Sequence, residues 1–236
     1  MQNQSSVMTQ PFTALIAARA GSKRFVKKNV ALLGGKPLYQ HSIDQAFAAG
    51  ANEVLISTDI SEILSAPALE RVVCCERPPE LAGDRTSITD VLLDLLVRGK
   101  PNSEVLVLLQ PTSPLRPEGA IRECVEKFMA ERSDDAMVMS VTPVNESVQK
   151  YGTLEGARFR AMRSNKDCFS NAQSLDQVYR PNGSIYVFTA DGFRKHSGFP
   201  YAHIIPFIMD AAHSIDIDYP EDFERVAKAF DGLRPK

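Results

Sequence analysis

Residues 14–29, ALIAARAGSKRFVKKN, open with five apolar side chains and close in a loop crowded with positive charge. An apolar run without polar alternation is how a strand buried on both faces reads, as in a parallel sheet. Arg19, Lys23, Arg24, Lys27 and Lys28 then fall within ten residues, around a single glycine. That composition suits neither a core segment nor a helix. Open α/β sheets bind ligands in loops at the carboxyl ends of their strands, where backbone N–H groups and fixed cations can cradle a polyphosphate. A loop that only faces water can have the same composition; its place directly after the first buried strand favours an anion site. Neither G-x-G-x-x-G nor G-x-x-x-x-G-K-[ST] occurs in the stretch, so a phosphate loop of another type is expected.

Working outward, LLGGKPL reads as a turn with Pro37 at the first helical position, and the helix it opens ends before Gly50. EVLIS (53–57) and RVVCC (71–75) read as second and third buried strands, Cys74 and Cys75 ending the third. A short helix over 60–64 lies between them, giving a βαβαβ run and a doubly wound, mostly parallel sheet. ERPPELAGDRTS (76–87) is a loop whose Thr86 or Ser87 caps the next helix. EVLVLLQ (104–110), the most hydrophobic strand, is expected at the centre, followed by the rigid loop PTSPLRP, a helix over 121–129 and a strand AMVMSV (136–141). The rhythm breaks over 142–179, where weak alternation near 152–162 suggests a hairpin. A long polar excursion of this kind is a lid, a specificity element or an oligomer arm. RPNGSIYVF (180–188), HIIPF (203–207) and a final strand HSIDIDYPEDF return to the sheet, and a helix over 220–230 ends it.

The chain has 236 residues, 44% hydrophobic and 24% charged, with a net charge of −2. This describes one globular domain over 12–236 behind a polar tail, 1–11, that lacks the apolar core of a signal peptide. The charge balance argues against a nucleic-acid surface, and no run is long enough to span a membrane. Cys74, Cys75, Cys124 and Cys168 show neither C-x-x-C spacing nor a nearby histidine cluster, so they read as reduced thiols of a cytoplasmic protein. The four histidines, His41, His196, His203 and His213, show no triad or metal spacing and read as structural.

In SIDID (214–218), period-two alternation puts Asp216 and Asp218 on one side and Ile215 and Ile217 on the other. Two such carboxylates repel unless a cation lies between them, and a hard divalent ion with substrate phosphates would satisfy them. Arg77, Gln110, Arg116 and Arg180 are expected in loops at the same sheet edge, and arginine suits bidentate anion binding.

Taken together and in order, AARAGSKRFVKKN, RPPELAGD, LLQPTSPLR, RPNGSIYVF and SIDIDYPEDF resemble the acylneuraminate cytidylyltransferases, over about 14–223. The resemblance implies a homodimeric Rossmann-like nucleotidyltransferase using CTP and Mg²⁺ (or Mn²⁺). Such an enzyme joins CMP to the anomeric hydroxyl of a nine-carbon 2-keto acid sugar, releases pyrophosphate, and supplies the activated donor for surface glycans such as capsule or lipopolysaccharide. On that resemblance Arg19, Ser22, Lys23 and Lys28 hold the triphosphate, Asn29 and Arg77 the nucleoside, with Thr86 and Ser87 beside them. Gln110, Lys150 and Arg180 take the sugar, Asp216 and Asp218 the metal, and the excursion 142–179 is a dimerisation arm. Catalysis then falls to Arg19, Lys28, Asp216 and Asp218, with Asp216 also able to assist deprotonation of the sugar.

Two departures stand out. Ala172 occupies the place of an arginine in many sialate-specific members, leaving N-acetylneuraminate, legionaminate and pseudaminate open as acceptors. RFVK replaces a Gly- and Pro-containing turn. Other readings are transfer to a 3-deoxy-octulosonate or a sugar 1-phosphate, or a non-catalytic nucleotide-binding module. The absent glycine fingerprint disfavours a dinucleotide dehydrogenase.

Overall fold

The computed structural model describes residues 10–233, so most of the expected tail lies outside the described residues. The first apolar run forms β1 (Phe12–Ala18), buried along nearly its whole length. The basic loop leads to a hairpin of β2 (Leu32–Leu33) and β3 (Lys36–Pro37), turned by Gly34 and Gly35, both at positive φ, and then to α1 (Leu38–Ala48). Pro37 caps this helix and does not occupy its first turn. Then come β4 (Glu53–Thr58), α2 (Ser61–Leu64), β5 (Val72–Glu76) and α3 (Ile88–Gly99), followed by β6 (Val105–Leu109), α4 (Ala120–Ala130) and β7 (Ala136–Val144). The excursion holds the hairpin β8 (Gly152–Glu155) and β9 (Arg158–Ala161). The chain closes with β10 (Val178–Thr189), α5 (Ala190–Lys195), β11 (His203–Ile208) and α6 (Pro220–Leu233).

The main sheet has the order β11-β7-β10-β6-β1-β4-β5, with β6 central as its composition predicts. Every neighbouring pair is parallel except those of β10, which runs against both β6 and β7. That reversal has a functional result. The amino-terminal end of β10, with Arg180 and Asn182, arrives at the edge where β1 and β6 deliver their carboxyl ends. Alternate residues of β1 serve opposite layers: Ala14 and Ile16 pack with α1 and α4, while Leu15 packs with α3 and α5. A third cluster joins Leu33, Leu38, Leu115, Ile217 and Val226, clamping α6 over the β2–β3 hairpin.

Three expectations need correction. SIDID is not a strand: it runs outside the ladders, anchored by the Ile217 N–H donating to the Thr112 carbonyl at 2.9 Å. The alternation survives because an extended backbone has period two with or without a partner. Cys74 and Cys75 do not lie in a buried strand, since β5 is the sheet edge and Cys74 is exposed. The arm is shorter than 142–179, because Val178, Tyr179 and Arg180 pair with Val144, Pro143 and Thr142 in the sheet.

Candidate active site

A cleft opens where β1 and β6 end, walled by the basic loop, the 77–86 loop and the SIDID stretch. The basic loop is held by one bond of its own and one from beyond β4. The Asn29 amide donates to the Arg19 carbonyl at 2.9 Å, and the Ala20 N–H donates to Asp59 Oδ1 at 2.7 Å. Asn29 sits in a short 3₁₀ turn, entered through Lys27 in the left-handed region, and is buried. Arg77 is buried too, its Nε donating to Ser57 Oγ and its Nη2 to the Ser57 carbonyl, at 3.1 and 2.9 Å. Burial lowers its pKa.

Two carboxylates pair with four of the cleft's cations. Asp84 reaches over from the 77–86 loop, with Oδ1 3.0 Å from Arg19 and Oδ2 2.5 Å from Lys23. Hydrogen bonds from Lys23 and Arg19 hold its carboxyl below the usual range. Asp218 takes Lys28 on Oδ1 at 3.1 Å and Arg24 on Oδ2 at 3.2 Å, while Lys28 also donates to the Ile217 carbonyl at 2.8 Å.

Asp216 is different. Its Oδ1 is buried with no hydrogen-bond partner among the described residues. Burial raises its pKa; the neighbouring Asp218 adds to the rise, while the nearby Thr112 hydroxyl and the charges of Lys28 and Arg180 oppose it. A buried, unpartnered carboxylate oxygen beside a second carboxylate is the donor set a hard divalent ion takes. No cluster of three or more His, Cys, Asp or Glu occurs among the described residues. Phosphate oxygens and water would therefore complete the shell of an ion held by Asp216 and Asp218, as Mg²⁺ accepts readily.

The stretch bearing Asp216 is positioned by a buried network that sequence reasoning did not foresee. Ladder register slips between Pro181 and Tyr186, and this bulge turns Asn182 inward. Ser140 Oγ donates to Asn182 Oδ1 at 2.6 Å, and Asn182 Nδ2 donates to Ser214 Oγ at 2.9 Å. Gly183, at φ 76°, makes the turn that a side-chain-bearing residue would strain.

Of the residues singled out from sequence, Arg19, Ser22, Lys23, Lys28, Asn29, Arg77, Thr86, Gln110, Asp216 and Asp218 all line the cleft. Ser87 does not; its hydroxyl accepts from the Asp90 N–H as the cap of α3. Lys150 lies in a turn of the arm and does not line the cleft. Arg180 lines an adjoining cleft that shares Asp216. Arg116, expected at the binding edge, is instead buried beneath it, bonded to the Gln110 and Ser184 carbonyls and to Gln45. Asp84, Thr112 and Arg24 also line the cleft. Arg24 is one of the five loop cations read from sequence; Asp84 and Thr112 lie in motifs that were read, but no signal marked them.

The family model described as "Cytidylyltransferase" matches residues 13–229. An N-acylneuraminate cytidylyltransferase from Streptococcus agalactiae is 32% identical over 216 residues, 90% of this chain and 51% of that protein. This chain thus spans about half the length of the streptococcal relatives it matches. A CMP-N,N'-diacetyllegionaminic acid synthase from Legionella pneumophila is 32% identical over 91% of this chain and 94% of its own. A pseudaminic acid cytidylyltransferase from Campylobacter jejuni is 27% identical over 89% and 92%. Among solved structures, a CMP:2-keto-3-deoxy-manno-octonic acid synthetase complexed with CTP superposes with a TM-score of 0.68 at 18% identity, covering 95% of this chain and all of the other.

Proposed function

Since this chain belongs to the cytidylyltransferase family, we propose that it transfers CMP from CTP to the anomeric hydroxyl of a nine-carbon 2-keto acid sugar, releasing pyrophosphate. One observation carries the reading: a basic phosphate loop faces Asp216 and Asp218 across one cleft, with an Asp216 oxygen left unpartnered. The names of the relatives, which span sialic, legionaminic and pseudaminic acids, support the acceptor class.

In this reaction the sugar hydroxyl forms a new bond to the α-phosphorus, and the bond from that phosphorus to the β-phosphate bridging oxygen breaks. Negative charge grows on the phosphoryl oxygens and the departing pyrophosphate. Arg19, Lys23 and Lys28 are placed to hold that charge in a fixed frame, which is where most catalytic power of this kind lies. A divalent ion on Asp216 and Asp218 would add charge stabilisation and orient the phosphates. Asp216 can also assist deprotonation of the sugar hydroxyl as the new bond forms. Asn29 and the buried Arg77 supply fixed donors for the nucleoside.

The testing experiment is pyrophosphate release with each nucleoside triphosphate and a panel of nine-carbon 2-keto acids, with 3-deoxy-octulosonate as a control. CTP should exceed UTP by about 10²-fold or more in kcat/KM, because a pocket built for the cytosine edge leaves buried donors or acceptors unpaired against uracil. Equal turnover with UTP would refute the nucleotide assignment.

Asp84 yields a second expectation. It occupies, with a carboxylate, the two cations assigned to the triphosphate, so CTP must displace it. Because the pairs are exposed to solvent, each contributes little. Asp84→Asn should therefore tighten CTP binding by about two- to fivefold in calorimetry. Weaker binding would mean that Asp84 instead holds Arg19 in its binding posture.

The protein is further proposed to work in the cytoplasm as a homodimer, feeding surface-glycan synthesis. No helix among the described residues is long and apolar enough to cross a membrane. On the arm, Tyr151, Leu154, Phe159, Met162 and Phe169 are exposed, an apolar surface of the kind that pairs with another copy.

A further inference from the structure

A second cleft lies on the far side of Asp216 from the nucleotide loop. Its floor is polar and incompletely satisfied. Thr142, only 3% exposed, lines it with a buried hydroxyl oxygen that has no partner among the described residues. Arg180 stands directly across the β7–β10 ladder from Thr142. Among the described residues its guanidinium forms no ion pair and bonds only to the Pro181 carbonyl, at 3.2 Å. Arg225 enters from α6, held loosely by Asp222 Oδ1 at 3.5 Å. Asp222 lines the cleft as well, with its Oδ2 turned to the backbone N–H groups of Asp218 and Tyr219. Asp216 is the wall shared with the nucleotide cleft.

Acceptor chemistry says what belongs there. In a 2-keto acid sugar the anomeric carbon bears both the attacking hydroxyl and the carboxylate. A hydroxyl held near Asp216 for attack toward the nucleotide has its carboxylate on the same carbon, within reach of the adjoining cleft that Asp216 also lines. Two arginines with unspent donors and an unpartnered hydroxyl make a natural receptor for such a group.

We propose that Arg225 and Thr142, together with Arg180, bind the acceptor's carboxylate and so select an acid over a neutral sugar. This rests on the reading of the chain as a nonulosonate cytidylyltransferase. Arg225 approaches from the helix that follows the aspartate stretch, so one local segment carries both the proton acceptor and the acid-selecting cation.

The test uses Arg225→Gln and Thr142→Val in the full chain, assayed with the best acid of the panel and with its carboxamide. Losing a charge-assisted contact should raise the acceptor KM of Arg225→Gln about tenfold to a hundredfold, with Thr142→Val changing it less. CTP binding should stay within twofold in both. With the carboxamide, wild type and Arg225→Gln should become equal, because the contact no longer exists to lose. A purely structural role would penalise both acceptors alike, and that result overturns the assignment, as does an unchanged acceptor KM. A wild type that releases pyrophosphate with no acid overturns the parent reading, and this assignment with it.

Discussion

Asp218→Asn is expected to lower turnover by about 10²-fold or more at saturating CTP, as removal of a key electrostatic group typically does. Asn keeps the shape but removes the charge that Lys28 and Arg24 now share and that a divalent ion would take. The fold should survive, since these pairs are partly exposed and such pairs contribute little to stability. Asp216→Asn should be as damaging to turnover while leaving the ligand-free protein at least as stable. Its carboxylate is buried with an oxygen unpartnered, and a neutral amide is easier to bury than a charge. Turnover measured with and without Mg²⁺, alongside thermal melts, checks both statements. Near-wild-type activity in Asp218→Asn would remove the metal assignment.

The second large effect concerns the arm. Its apolar side chains stand in solvent in a single chain, while polar bonds such as Arg163 to Asp176 at 2.9 Å run within the arm. Shortening it between about Asn145 and Ser174 should yield a monomer that binds CTP normally and hardly turns over the sugar. The nucleotide cleft contains no arm residue, whereas a two-fold contact can bring one subunit's arm to the other's acceptor side. The deletion itself is structurally mild. Val144 and Val178, where the arm leaves and rejoins, are paired in the sheet, and loop length alters closure entropy only slowly. Light scattering, CTP calorimetry and a turnover assay on the same protein decide the matter. A monomeric truncation with full activity would show that the arm is only a surface loop.

Sequence carried the inner strands well because burial on both faces leaves a local signature, the unbroken apolar runs of β1, β4 and β6. It also carried the aspartate pair, since the period of an extended backbone does not depend on having neighbours. What it could not carry were facts about partners far along the chain. RVVCC reads like an inner strand, yet only the strand order shows it at the edge. Thr142 to Val144 read as arm because a threonine and a proline break the apolar run ahead of a polar segment; pairing with Val178 to Arg180 makes them sheet. Asp84 and Arg19 are 65 residues apart, and no spacing rule joins them. Arg116 sits in a loop motif rich in proline and polar residues, where nothing local signals depth. The ligand roles given to Lys150 and Ser87 came from resemblance alone, and the structure gives those side chains other surroundings; Ser87 is the helix cap that its position also suggested.

Arg116 has a further consequence. All of its hydrogen bonds go to carbonyls, a hydroxyl and an amide, so among the described residues no carboxylate answers its charge. Desolvation lowers its pKa accordingly. One of those carbonyls belongs to Gln110, which lines the nucleotide cleft, so the uncompensated charge lies just beneath the floor. In a low-dielectric setting its field reaches the cleft weakly screened. On the proposed reading, a polyphosphate bound above Gln110 would supply the opposite charge that Arg116 lacks. Occupancy and heat resistance should accordingly rise together, the bound nucleotide serving the domain as a structural counter-ion as well as a reactant.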